Sequence, residues 1–100
     1  MIENYTTIKV TSTKLNSSIE FYQDVNVMNY VLNEYVLPGK LVVVTKTENN
    51  NLTITTSLKF ASEQDYNDFR NDPVIKDFGI TKKEFNDTHG IISIYEIINE

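Results

Sequence analysis

The sequence predicts a single α+β domain in the order strand, helix, strand, strand, helix, strand. Three stretches carry that prediction. From Leu52 to Phe60 the chain alternates strictly, with Leu52, Ile54, Thr56, Leu58 and Phe60 on one side and Thr53, Thr55, Ser57 and Lys59 on the other. That is the period of two expected of a strand covered on one face. Ser62-Glu63-Gln64-Asp65 follows, an N-cap with carboxylates in the first helical turn. The chain closes on Gly90 to Ile98, where Ile91, Ile92, Ile94, Tyr95, Ile97 and Ile98 are interrupted only by Ser93 and Glu96. Such a run predicts an inner strand covered on both faces.

The first strand is expected over Tyr5 to Ser12, with Ile8 and Val10 inward and Thr7, Lys9 and Thr11 outward. Ser17-Ser18-Ile19-Glu20 then reads as a cap. Phe21, Val25, Met28 and Leu32 recur at spacings of four, three and four, which predicts a helix through about Leu32. Val25, Val27, Val31 and Val36 suit a strand equally well, so residues 25–36 stay open between the two. Pro38-Gly39 turns the chain into a second strand, Lys40 to Glu48, built on Leu41, Val42, Val43 and Val44. Asn49-Asn50-Asn51 closes a hairpin with the third, because Asn tolerates the left-handed backbone of a tight turn.

The second helix places Tyr66, Phe69 and the stem of Arg70 on one face and ends near Asp72, since Pro73 disfavours helix in the residue before it. Pro73 to Phe78 is expected to add one more turn closed by Gly79, and Thr81-Lys82-Lys83-Glu84 before Phe85 to cap a short extra turn. With right-handed crossovers this order puts two helices on one face of a four-stranded antiparallel sheet, the ferredoxin-like βαββαβ arrangement.

Composition bounds the function. One hundred residues, 40% hydrophobic and 23% charged, make one domain spanning residues 1–100 with a modest core. Fourteen acidic against nine basic side chains give a net charge of −5, whose field repels phosphate backbones and argues against duplex nucleic acid as a partner. The absence of cysteine excludes disulfides, thiolate metal sites and cysteine nucleophiles. No stretch reaches the roughly 18 apolar residues of a membrane span, and residues 1–20 carry no signal-peptide pattern, so a cytoplasmic protein is expected. Ala61 and Arg70 are the single Ala and Arg, Trp is missing, and Ile, Asn, Lys, Thr and Tyr are plentiful. These are residues of A/T-rich codons, which points to a low-GC bacterium or its phage and to a small protein acting on a host factor.

The stretch Phe60-Ala61-Ser62-Glu63-Gln64-Asp65-Tyr66-Asn67-Asp68-Phe69-Arg70-Asn71-Asp72-Pro73 resembles the segment that closes the third strand and opens the second helix in dimeric α+β barrel proteins. The resemblance lies in a strand ending on an aromatic, a Ser-Glu cap, a core aromatic and a closing Asp-Pro. It implies two protomers packed sheet to sheet, serving as a cofactor-free monooxygenase, a haem-degrading enzyme or a non-catalytic binding protein. The chain departs from the family's commoner catalytic markers, with no His in the first strand and no Trp.

Candidate chemistry is sparse. His89 is the only histidine, in Asn86-Asp87-Thr88-His89-Gly90, where Asp87 would orient it and Thr88 would be the nucleophile of a triad; the same residues make an ordinary turn into the last strand. Asp65, Asp68 and Asp72, spaced three and four apart, share a helix face suited to a basic partner or a divalent cation. Tyr66 and Arg70 beside them complete a candidate partner-binding set. Six tyrosines, among them Tyr22, Tyr30, Tyr35 and Tyr66, suit either an interface or the core-facing side of a helix. Met28, Leu58, Phe60 and His89 form a candidate ligand pocket, with Tyr66 at its wall. The sequence as a whole is read as a small acidic, non-enzymatic binding protein. It is expected to be a homodimer with no cofactor or metal, with a further protein as a possible partner. One alternative is a cofactor-free or haem-handling dimeric barrel enzyme. The other is an acidic mimic of nucleic acid, weakened by the interspersed Lys59, Lys76, Lys82 and Lys83.

Overall fold

A computed structural model describes residues 6–99 of the chain. The predicted start of the first strand at Tyr5 lies outside the described residues. The order is β1 (Thr6–Thr13), α1 (Val25–Val31), a π-helical turn (Leu32–Val36), β2 (Leu41–Glu48), β3 (Thr53–Phe60), α2 (Glu63–Asn71), α3 (Pro73–His89) and β4 (Ile92–Asn99). The strands form one open sheet in the order β2-β3-β1-β4, and every neighbouring pair is antiparallel. The architecture is therefore α+β, a four-stranded antiparallel sheet with three helices.

The hairpin forms where the alternation places it. Asn49, Asn50 and Asn51 all adopt left-handed backbone, with φ of 55°, 57° and 69°, a conformation that Asn accepts at lower cost than other side-chain-bearing residues. Leu41 faces Phe60 across β2 and β3, and these two are the most deeply buried side chains. Tyr35 and Phe69 join them to form the core, which Ile8, Leu58, Tyr66 and Ile75 flank. Helices and sheet thus meet on the face that carries Ile8, Leu41, Leu58 and Phe60.

The first helix starts later than Ser17 predicts. Asn16 Oδ1 accepts the Ser18 N–H at 3.0 Å as well as the Ser18 hydroxyl, so a local turn takes the donors and acceptors that a cap would have used. Phe21 lies under the Lys14 ammonium, and Tyr22 packs against Phe78 and Phe85. The working cap is Asp24, whose Oδ1 accepts the Val27 N–H at 3.1 Å. Residues 25–36 are helical, their valines notwithstanding.

Three other expectations are corrected. Pro73 opens a 17-residue helix in place of one short turn, and that helix runs straight through Gly79 and the supposed cap at Thr81. A mid-helix Gly costs only about 1 kcal/mol, and the stripe Ile75, Phe78, Lys82, Phe85 and Asn86 continues unbroken across it. The helix ends instead at Gly90, with φ of 70° and its N–H donated to Asn86 O. His89 accordingly closes a helix and does not sit in a turn. Finally, β4 is an edge strand, since only β1 pairs with it, and its apolar run is not covered on both faces.

A Cβ added at Gly79 meets nothing within 4 Å. Gly79→Ala should therefore raise stability by about 0.5–1 kcal/mol in urea denaturation; a loss would show that this stretch of α3 is not regular helix.

Candidate functional site

The junction between α2 and α3 gathers most of the polar residues singled out above. Ser62 caps α2 through the Asp65 N–H at 3.1 Å, and its hydroxyl donates to Asp65 Oδ2 at 2.9 Å. Asp68 Oδ1 accepts from Gln64 Nε2 at 2.7 Å. Arg70 lays its guanidinium 5.2 Å from the Tyr66 ring centre, and that ring stands edge-on to Phe60 at 5.4 Å. Arg70, Tyr66 and Phe60 thus stack from the surface into the core.

Asp72 is the pivot. It ends α2 and caps α3 at once, its extended backbone, φ −68° and ψ 123°, being what Pro73 imposes on the residue before it. Its Oδ1 accepts the Val74 N–H at 2.9 Å, and its Oδ2 accepts the Tyr30 and Tyr35 hydroxyls at 2.6 and 2.7 Å. Burial alone would raise the carboxyl pKa. The two phenols and the Val74 and Ile75 N–H groups outweigh it and hold the group below the usual carboxylate range. Burial, then donation to Asp72, pushes the Tyr35 phenol well above its usual range. Tyr30 is raised chiefly by its bond to Asp72.

Asp65, Asp68 and Asp72 therefore do not act as one solvated stripe. Asp65 and Asp68 lie on α2, while Asp72 is turned inward onto the tyrosines of the first helix. From the sequence, Tyr30 and Tyr35 stand only as candidates for an interface or for the core-facing side of a helix. Their spacing of five, awkward on an α-helix, fits one π turn, and the turn at Leu32–Val36 is what lets both hydroxyls reach one carboxylate.

The candidate pocket residues are dispersed. Phe60 is fully buried and Leu58 flanks it, whereas Met28 is 54% exposed on α1. His89 stacks on Phe85 with centroids 4.1 Å apart, its Nδ1 2.9 Å from Phe85 O. Asp87 pairs with Lys83 at 2.8 Å, and Thr88 donates to Glu84 O, so neither orients the imidazole. A depression of about 310 Å³ opens between Gly39, Leu41, Val42, Lys59, Phe60 and Ala61, and of the candidate pocket residues only Phe60 lines it.

Among the described residues no group of three His, Asp or Glu could hold a metal ion, and no helix is long and apolar enough to cross a membrane. Comparison with protein-family models, curated proteins and solved structures finds no match to this chain.

The Asp72 cluster has a testable pH signature. A carboxyl whose folded pKa is depressed stabilises the fold above its unfolded value, and that contribution fades as pH falls through the folded one. Tyr35→Phe should cost about 1–2 kcal/mol at neutral pH, and the gap from the parent should narrow in acid, below the usual carboxylate range. A gap independent of pH would show that Tyr35 acts through packing alone.

Proposed function

We propose that this chain is a small acidic, non-enzymatic interaction protein of the cytoplasm that works as a homodimer, with the ferredoxin-like arrangement as its frame. The observation that carries the reading is the placement of its apolar surface. Ile92, Ile94, Tyr95, Ile97 and Ile98 of β4 are between 42% and 65% exposed, on a strand that has a neighbour on one side only. Exposed apolar side chains gathered along one unpaired strand edge, on an otherwise charged composition, mark a surface that meets another macromolecule. The strand order supports the frame, since β1 lies between β3 and β4 as two interleaved βαβ units require.

Asp65 and Asp68 with Arg70 and Tyr66 on α2 are the proposed second contact, for a basic partner, distinct in character from the apolar edge. The residues that chemistry would need have structural work instead: Asp72 holds the first helix, and His89 packs along its own helix.

Native mass spectrometry of the gently purified protein should give about twice 11.5 kDa with no retained small molecule, and haem or flavin absorption should not shift on mixing. A monomer at every concentration contradicts the homodimer. A haem shift abolished by His89→Ala would replace the reading with a haem-handling one.

A further inference from the structure

We infer that two copies join through β4, strand to strand and antiparallel about a two-fold axis at Tyr95, to give one continuous eight-stranded sheet. This rests on the interaction-protein reading and names its partner and geometry.

The open face of the sheet is poorly suited to the contact. Its two central strands present Thr7, Thr11, Thr13, Thr53, Thr55 and Ser57 with Lys9 and Lys59 between them. Packing two such faces together would take hydroxyls and amines out of water with no apolar gain at the centre. The apolar side chains of that face stand at its margins, on the edge strands.

The β4 edge is the reverse. Folded proteins blunt exposed edges with Pro, Lys, bulges or short strands. This edge runs eight residues, Ile92–Asn99, with no Pro, no Lys and Glu96 as its one charge. Glu96 stands opposite Lys9 in the register with β1, on the same face of the sheet. Five large side chains at roughly 200 Å² each, a little over half exposed, offer on the order of 500 Å² of apolar surface per copy. A strand-to-strand contact covers the flanks of the open-face set (Ile92, Ile94, Ile98) and of the helix-side set (Tyr95, Ile97) together with the strand backbone, a small interface beside the ~800 Å² per partner of a standard one.

Charge selects the register. With both helix layers on one side, the longest overlaps put the axis at Tyr95 or at Glu96. An axis at Glu96 sets two carboxylates directly opposite each other, which is destabilising. An axis at Tyr95 pairs Tyr95 with its own copy, Ile92 with Ile98 and Ile94 with Glu96, and no like charges meet. Tyr95 lies on the helix side, where Lys82 approaches its ring at 6.0 Å. Aromatic pairs directly opposite are among the favourable cross-strand contacts.

The cysteine-free chain allows a clean test. Directly opposed antiparallel residues have Cα atoms about 4.5–5.5 Å apart, within disulfide range. Tyr95→Cys should cross-link to a covalent dimer under mild diamide oxidation, while Thr55→Cys at the centre of the open face should not. The double variant Ile92→Lys/Ile98→Lys sets like charges opposite each other at both ends. It should raise the dimer dissociation constant about tenfold or more with an unchanged circular dichroism spectrum. A dimer that cross-links in the Thr55→Cys variant and not in the Tyr95→Cys variant, or that ignores the two lysines, overturns the edge geometry and leaves the homodimer standing. A monomer at all concentrations overturns both.

Discussion

One carboxylate joins the helical segments where they meet. Asp72 ends α2, caps α3 and receives the hydroxyls of Tyr30 and Tyr35, so three helical segments meet at a single side chain. Hydrogen bonds to a charged acceptor are stronger than neutral ones, and both oxygens of this half-buried carboxylate are satisfied. The π turn at Leu32–Val36 is the local cost of bringing both phenols to it. In exchange Tyr35 is driven down onto Phe69, edge to face at 5.0 Å, and the Leu41, Phe60 and Phe69 core closes beneath.

That closure is confined to one end of the sheet. Toward the other end the packing is smaller and more polar: Val10 and Ile91 are buried beside Ser12, Asn86 and Lys14. Ser12 and Ser93 share a 2.6 Å hydrogen bond across β1 and β4, and Asn86 reaches Ser93 from α3. The helices thus tie down the inner edge of β4 through polar contacts while Tyr95 and Ile97 remain uncovered. A closed core at one end and an exposed apolar edge at β4 thus belong to the same sheet.

Local physics is readable from the residues wherever it is decided locally. The alternation of Leu52 to Phe60, the asparagine turn and the Ser62 cap all appear where their chemistry requires. Local signals fail where tertiary packing outweighs them. Ser17 and Ser18 look like a cap, but Asn16 captures Ser18, and Phe21 and Tyr22 find better partners in Lys14, Phe78 and Phe85. Gly79 looks like a stop, yet the stripe on either side of it is long enough to carry the helix through. The isoleucines of β4 read as an inner strand because composition reports apolarity and not strand order. Of the candidate site, Asp72 is visible as one carboxylate among several. Its tyrosine partners are not, because their convergence depends on a π turn that no helical period announces.

On this reading the Asp72 end is locked within each copy, while the β4 edge is completed only by a second. Amide hydrogen exchange measured at several protein concentrations reads both at once. Amides around Tyr35 and of α3 just beyond Asp72 should be protected throughout, and the outward amides of Ile92 to Ile98 should gain protection as concentration rises through the dimer transition. Exchange at β4 that stays fast and independent of concentration, in a protein whose core is otherwise protected, would contradict it.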